Sequence, residues 1–200
     1  MKEHQLKNEL IKAGFKAFAK QDFKKVSTNE IVKAANVSKG LLFHYFDNKE
    51  SFYFTLYEMA WQVVHRDIFM AFPFENRDLF ERLKYLIITK STSLQNHKVI
   101  AMFLKRVHMN TDENFIAKRL KIYNNFTIKN YKRLFENIDE TKFRNAEYLD
   151  EIYKIVTWTF NRITSEWEKN HYDKDNDDAI RILEQELTHY IEFFKTFFYK

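Results

Sequence analysis

Apolar residues recur every three or four positions along most of the chain, which is the spacing of one face of an α-helix. No run alternates between apolar and polar residues for long enough to predict a strand. The 200 residues include only two glycines and one proline, so few positions force a helix to end. The pattern therefore predicts an all-α protein.

Capping residues and polar breaks divide this pattern into helices. We predict a first helix over 4–21, two short helices within 27–45, and a long helix from Asn48 toward Pro73. Five more helices follow, at about 77–95, 97–109, 112–137, 146–170 and 177–198. The caps predicted for the later helices are Asn76, Thr111, Asn145 and Asn176.

The stretch from Ser27 to Lys49 has the features of a helix-turn-helix. Its predicted helix starts are Ser27 with Glu30, Ser38, and Asp47 with Glu50. Asn36 tolerates the left-handed backbone that the turn between the first two helices needs. The second helix, Lys39 to Tyr45, is too short to be stable alone in water. Its neighbours must therefore hold it, and such a helix usually reads the major groove of DNA.

Helical spacing assigns the faces of this second helix. Leu42 and Phe46 are four positions apart and should point into the core. The outward face should then consist of Lys39, Gly40, Phe43 and His44, with Leu41 and Tyr45 at its edges.

The positive charge is concentrated in the same part of the chain. Residues 1–50 contain ten lysines and no arginine against six acidic residues, a net charge of +4. Residues 51–200 contain 23 basic and 22 acidic residues. A basic segment that contains a helix-turn-helix is consistent with a surface that faces phosphates.

Several other classes of protein are disfavoured by the sequence. Cysteine is absent, which excludes disulfides and thiolate metal sites. There is no phosphate-binding loop, serine-hydrolase elbow or zinc-protease motif, and the seven histidines are scattered. We therefore expect no enzyme activity, no metal and no cofactor. The absence of a long apolar run indicates no membrane association and a cytoplasmic location.

The last two predicted helices are apolar over more than half of their circumference. A helix of this kind is either fully buried or packed on two sides. We therefore predict a homodimer through helices 146–170 and 177–198, with a monomer that has a large core as the alternative.

The N-terminal residues resemble the tetracycline-repressor (TetR/AcrR) family of bacterial transcription regulators. The resemblance runs from LIKAGFKAFAKQDF to STNEIVKAANVSKGLLFHYFDNKESF. It implies about nine helices, with a three-helix DNA-binding domain at 1–50 and a helical effector-binding and dimerisation domain at 51–200. Two turns that usually contain glycine in the family contain Asp22 and Asn36 here, and both residues can adopt positive φ at modest cost.

The resemblance, read with the chemistry of each residue, implies a set of DNA contacts. Lys39 and Lys49 lie in the first turns of their helices, where a cation is unfavourable unless an anion such as phosphate is near. His44 is the candidate for reading a base. Leu41 and Phe43 make the reading face more apolar than is usual in the family, which suggests an AT-rich operator. The full predicted set is Thr28, Ser38, Lys39, Gly40, Leu41, Phe43, His44, Tyr45 and Lys49.

The resemblance also implies a ligand cavity among the middle helices. Polar groups beside an apolar row are typical of such cavities. The predicted lining is Trp61, Phe103, Tyr123, Thr127, Asn130 and Trp158. The abundance of aromatic residues suggests a small hydrophobic or cationic effector.

The predicted function is a sequence-specific transcriptional repressor that a small hydrophobic ligand releases from double-stranded operator DNA. An activator, or a regulator controlled by a protein partner, is the main alternative. A helical enzyme with a regulatory head and a DNA-associated structural protein fit the sequence less well.

Overall fold

A computed structural model describes residues 2–70, 72–171 and 177–200. The side chains of residues 2, 126–134, 168–171 and 177–178 lie outside this description. The described residues form α-helices with two short 3-10 turns, which confirms the all-α prediction. Among them, no helix is both long enough and apolar enough to cross a membrane.

The order of the helices is the predicted one. The helices are α1 (Lys2–Lys20), α2 (Thr28–Ala34), α3 (Lys39–Tyr45), α4 (Lys49–Met70), α5 (Leu79–Asn96), α6 (Lys98–Met109), α7 (Glu113–Leu134), α8 (Leu149–His171) and α9 (Asp177–Phe198). The 3-10 turns Glu140–Lys142 and Ala146–Tyr148 lie between α7 and α8.

The two caps of the helix-turn-helix are confirmed. The Ser27 hydroxyl accepts a hydrogen bond from the Asn29 amide, and the Ser38 hydroxyl accepts one from the Leu41 amide, each at 3.2 Å. Asn36 has the predicted left-handed backbone, with φ of 53°. Because the Asn36 side chain tolerates this conformation, the turn forms without glycine.

Two other local predictions were wrong, namely the caps at Asp47 and Asn145. α4 is capped by Asn48, whose side chain accepts from the Ser51 amide at 2.8 Å, and not by Asp47. The turn at Asp22 forms without glycine, as predicted, and Asp22 does not need the positive φ that it could adopt. The Asp22 carbonyl instead accepts from the Lys25 amide at 2.9 Å. Asn145 precedes a 3-10 turn and makes no side-chain cap.

The caps of α5 and α7 lie one or two residues after the predicted ones. Asp78 caps α5 in place of Asn76, and Asp112 caps α7 in place of Thr111. An ionised carboxylate at a helix N-terminus also interacts favourably with the helix dipole, an advantage that Asn and Thr lack. Asn176 lies outside the described residues.

The chain forms two compact units. The first contains residues 1–65 and 96–128, and the second contains 66–95 and 129–200. The first unit thus joins the helix-turn-helix to most of α4, to α6 and to the start of α7. The division into domains at 1–50 and 51–200 stays a prediction.

The core of the first unit is aromatic. Phe18 packs edge-on against Tyr53 at 4.9 Å between ring centroids, and Tyr53 packs edge-on against Phe103 at 5.2 Å. Phe115 lies 4.8 Å from Phe23 and 5.7 Å from Tyr53. Helices α1, α4, α6 and α7 therefore meet in a single cluster of rings, where edge-on pairs are a favoured geometry.

Gly14 sets the distance between α1 and α4. A Cβ atom at this position would lie 2.5 Å from the Phe52 ring and 2.8 Å from the Leu56 side chain. Both of these α4 residues are fully buried. A side chain at residue 14 would therefore force the buried Phe52 and Leu56 side chains of α4 to shift.

The second unit has a core built from α5, α8 and α9. Phe80, Val156, Phe160 and Leu187 are fully buried within it. The Trp167 indole donates to the Ala179 carbonyl at 2.6 Å, which links α8 to the start of α9.

Asp78 connects three segments of the second unit. Its carboxylate accepts from the amides of Phe80 and Glu81, from Lys142 at 2.8 Å and from the Tyr199 hydroxyl at 2.9 Å. Burial alone would raise the pKa of Asp78, but these hydrogen bonds lower it below its usual value. The cap of α5 thereby also fixes the α7–α8 connection and the end of the chain.

The contact of Gly14 with α4 can be tested by substitution. We expect Gly14→Ala to lower the free energy of unfolding by about 1–3 kcal/mol, because the added methyl group forces α1 and α4 apart. Gly40→Ala is the matched control, since a Cβ there would meet only the Ser38 hydroxyl at 3.9 Å. Urea denaturation measures both variants. A Gly14→Ala protein as stable as Gly40→Ala would contradict the proposed constraint.

The Asp78 hydrogen bonds predict how stability depends on pH. Because the folded pKa lies below the usual value of 3.8, this contribution is fully present above that pH. It is lost as the pH falls from there through the folded pKa. We expect Asp78→Asn to reduce stability at pH 7 and to flatten the loss of stability below pH 4, as measured by thermal denaturation at several pH values. An Asp78→Asn curve parallel to that of the wild type would contradict this assignment.

Candidate nucleic-acid interface

The recognition helix α3 is held by its inner face and by its cap. Leu42 is fully buried and the adjoining Phe46 is 5% exposed, as predicted. Phe46 packs against Phe52 of α4 with ring centroids 4.5 Å apart. The Val37 amide donates to the Val32 carbonyl at 3.0 Å and closes the turn after α2. A seven-residue helix therefore has a fixed position on α2 and α4.

The outer face of α3 presents the four predicted residues to solvent. Lys39, Gly40, Phe43 and His44 are all exposed, while Leu41 and Tyr45 are half-buried at the edges. Phe43 is a large apolar side chain with 39% of its surface exposed. An aromatic ring and a histidine on a basic surface can contact thymine methyl groups and guanine acceptors.

Gly40 has no packing role inside the chain. A Cβ atom there would meet no atom other than the Ser38 hydroxyl within 4 Å, and the backbone has no positive φ. The absence of a side chain at this exposed position leaves room for another molecule to approach the helix backbone. This favours the close approach to DNA that the sequence predicted.

The predicted phosphate contacts surround this face. Thr28 is the first residue of α2 and is half-buried, and the Ser38 hydroxyl is engaged in its cap. The Tyr45 hydroxyl donates to the Glu3 carbonyl at 3.3 Å, and its ring lies below the Lys7 ammonium at 5.4 Å. Their contacts with DNA stay predictions.

Lys49 has an unexpected partner. Its ammonium lies 4.5 Å from the centroid of the Phe23 ring, a cation–π contact, and burial lowers its pKa. The neighbouring Glu50 forms an ion pair with Lys118 of α7. The start of α4 is therefore joined to the α1–α2 turn on one side and to α7 on the other.

Arg106 joins helix α6 to the predicted DNA-binding domain at residues 1–50, which we call the DNA-binding head. The guanidinium donates to the Ala19 carbonyl at the end of α1 at 2.7 Å and to the Asp22 carboxylate at 3.1 Å. A cation at the C-terminus of a helix can donate hydrogen bonds to the last carbonyls of the helix and interacts favourably with the helix dipole. Arg106 was not predicted, because nothing in the local sequence distinguishes it from other surface arginines.

Residues 10–56 match the model of the family described as bacterial regulatory proteins, tetR family. The matched segment contains α2, α3 and the start of α4. This match decides the identity of the head. Residues 10–56 are similar to the N-terminal domain of the tetR family of bacterial regulatory proteins. The predicted class, a DNA-binding regulator with a helix-turn-helix, is thereby confirmed at this level.

Two solved structures of TetR-family proteins are similar over the whole chain. One is a TetR family transcriptional regulator from Chloroflexus aurantiacus J-10-fl, with a TM-score of 0.66 at 15% identity, covering 98% of this chain and 94% of that one. The other is a putative TetR-family transcriptional regulator from Mesorhizobium loti MAFF303099, with a TM-score of 0.62 at 16% identity and full coverage of both chains. At such identity the likeness shows the fold alone. No curated protein matches the chain.

The predicted ligand residues lie in different surroundings. Trp61 of α4 is buried and packs edge-on against Tyr123 of α7, with 5.0 Å between ring centroids. Phe103 is fully buried in the aromatic core. Trp158 is 70% exposed on α8, in the second unit. The side chains of Thr127 and Asn130 lie outside the described part. Trp61 and Tyr123 are therefore the predicted pair that the fold brings together.

A cavity of about 790 Å³ lies in the second unit, at the connection between α7 and α8. Its polar lining includes Arg77 and Asp139, which already form hydrogen bonds within the chain. Arg77 donates to the Asn137 carbonyl at 2.9 Å, and Asp139 accepts from Thr141. Among the predicted ligand residues whose side chains are described, none lines this cavity.

Two substitutions on the TetR-type head separate phosphate contacts from base reading. We expect Lys39→Ala to weaken binding to all DNA sequences and to lower the slope of log K against log salt concentration by about one unit. His44→Ala should cost about 1–3 kcal/mol at one base position and change the sequence preference. Fluorescence anisotropy with cognate and scrambled duplexes at several salt concentrations measures both effects.

Lys121→Ala is the control for net charge, because this exposed lysine lies on α7 outside the helix-turn-helix. It should leave the salt slope unchanged. If Lys39→Ala and His44→Ala weaken cognate and scrambled DNA equally, the assignment of roles on α3 is wrong.

Proposed function

We propose that this TetR-type protein is a transcriptional repressor and that a small hydrophobic ligand releases it from its operator. The observation that supports the proposal is the attachment of α6 and α7 to the DNA-binding head. Arg106 of α6 binds the end of α1, and Phe115 of α7 packs against Phe23 and Tyr53. A ligand that displaces α6 or α7 would therefore also displace α1 and α4.

The proposed active form is a homodimer through α8 and α9. Large apolar side chains remain exposed on these helices and on the 3-10 turn before α8. They are Tyr148, Ile155, Trp158, Ile182, Phe193 and Phe197, with exposures of 41–70%. An exposed apolar surface of this kind is typical of an interface. A twofold dimer would present two recognition helices to half-sites about 34–36 Å apart.

The proposed mechanism is a shift between two states of the first unit. In the DNA-bound state, α3 packs on α4 through Phe46 and Phe52, and the aromatic rings of the first unit keep the contacts described above. Ligand binding favours a second state in which α4 has moved, so the spacing of the two recognition helices no longer fits the operator. By thermodynamic linkage, DNA and ligand must then weaken each other's binding by the same factor.

A gel-shift assay with DNA from upstream of the protein's own gene tests the proposal. We expect a specific complex that a compound from a hydrophobic panel dissociates. A change of tenfold or more in the apparent Kd corresponds to a coupling free energy of about 1.4 kcal/mol or more. A complex that no compound alters would contradict release by a small ligand and would favour control by a partner protein.

The proposed dimer interface can be tested by a substitution on its exposed apolar surface. Trp158→Glu places a charge on the exposed apolar surface without changing the buried core, because Trp158 is 70% exposed. In sedimentation velocity we expect a dimer for the wild type and a monomer for the variant, together with loss of the gel shift. Glu151→Gln, an exposed substitution on the same helix, is the control. A dimeric Trp158→Glu protein would contradict the proposed interface.

A further inference from the structure

Helices α4, α6 and α7 enclose three polar groups that have no hydrogen-bond partner in the described chain. They are the Tyr57 hydroxyl, the Trp61 indole nitrogen and the Nε of Arg119. Tyr57 is fully buried and Trp61 is 5% exposed. An unpaired buried polar group costs about 1–3 kcal/mol, so native structures contain few of them.

These three groups lie in one neighbourhood of the first unit. The Tyr57 and Trp61 rings pack edge-on with centroids 6.3 Å apart. His108 lies 6.3 Å from Tyr57 and 6.5 Å from Trp61, and its carbonyl accepts from Arg119 at 3.0 Å. Tyr123, on the same helix as Arg119, forms the other aromatic wall beside Trp61.

Arg119 has a fixed position at the C-terminus of α6. Its Nη1 donates to the Val107 and His108 carbonyls at the end of α6, which orients the guanidinium. In the described part of the chain, its charge forms no ion pair with a carboxylate. Its Nε remains as a buried donor, and a guanidinium is a cation without acceptor atoms.

The unpaired groups have the chemistry of donors. The indole nitrogen and Nε can only donate a hydrogen bond. Burial raises the pKa of Tyr57 to about 12, against the opposing effects of the nearby Trp61 indole and the Arg119 charge. The hydroxyl therefore keeps its proton at neutral pH and can donate as well. Three donors and one cation beside aromatic walls match an anionic acceptor on an aromatic molecule. A cationic effector, which the sequence left open, would meet a like charge.

We propose that Tyr57, Trp61 and Arg119 form the polar end of the effector site, and that the effector is an aromatic carboxylate. This inference rests on the proposed release by a small ligand and gives that ligand a chemical class. The carboxylate would accept from the three donors. Its ring would have to displace Tyr123 from Trp61, because these two rings are in direct edge-on contact with centroids 5.0 Å apart. The site also lies at the end of α6, which through Arg106 is attached to the DNA-binding head.

Three probes that differ in one substituent test the chemical class. We expect the full-length protein to bind 1-naphthoate in isothermal titration calorimetry. The neutral 1-naphthamide should bind at least tenfold more weakly, and 1-naphthylmethylammonium should not bind. Failure of 1-naphthoate to bind, or equal or tighter binding of the amide or the ammonium compound, would overturn the inference.

Two tyrosine variants on α4 test the position of the site. Tyr57→Phe should weaken 1-naphthoate about ten- to a hundredfold, because it removes one hydrogen bond to a charged group. Its melting temperature without ligand should equal or exceed that of the wild type, since the variant removes an unpaired buried hydroxyl. Tyr53→Phe, one helical turn away, is the control and should bind as the wild type does. A Tyr57→Phe protein that binds normally, or that melts at a lower temperature, would overturn the assignment.

A parallel gel shift separates this inference from the proposed function. If 1-naphthoate binds but leaves the DNA complex intact, the result supports the carboxylate site and contradicts ligand-induced release from DNA. If a neutral or cationic compound dissociates the complex while 1-naphthoate does not bind, release stands and the carboxylate site fails.

Discussion

The close contact of α1 with α4 at Gly14 is the constraint on which the DNA-binding head depends. A recognition helix of seven residues has too few internal hydrogen bonds to be stable on its own. It is held because Leu42 and Phe46 are buried, and Phe46 packs on Phe52 of α4. Phe52 is also the residue that excludes a side chain at position 14. One α4 side chain thus positions both α1 and α3.

The same packing explains how a distant event can reach the DNA-binding surface. Tyr53 follows Phe52 and contacts Phe18 of α1, Phe103 of α6 and Phe115 of α7. Close-packed cores pass from one discrete arrangement to another and do not deform continuously. Movement of α6 or α7 therefore requires a new arrangement of rings that includes α1. The unpaired donors at Tyr57 and Trp61 lie one and two turns farther along α4. A ligand bound there could favour one arrangement of the rings over another.

The two glycines illustrate how tertiary structure gives the same residue different roles. Both lie in helices, where glycine costs about 1 kcal/mol relative to alanine. At Gly14 the reason lies inside the protein, because α4 leaves no room for a methyl group. At Gly40 none of the described residues requires the absence of a side chain, which is consistent with the predicted close approach of DNA to α3.

The sequence alone determined the helices, the turn at Asn36, the caps at Ser27 and Ser38, and the inner and outer faces of α3. These features depend on residues three or four positions apart, whose interactions are local. The caps at Asn48, Asp78 and Asp112 were placed one or two residues off because neighbouring Asn, Asp and Thr residues can all cap. Only the tertiary structure decided the roles of Arg106, Tyr57 and Arg119. Arg106 contacts a residue 87 positions away, and the other two meet only when α4, α6 and α7 pack together. No local pattern encodes such contacts.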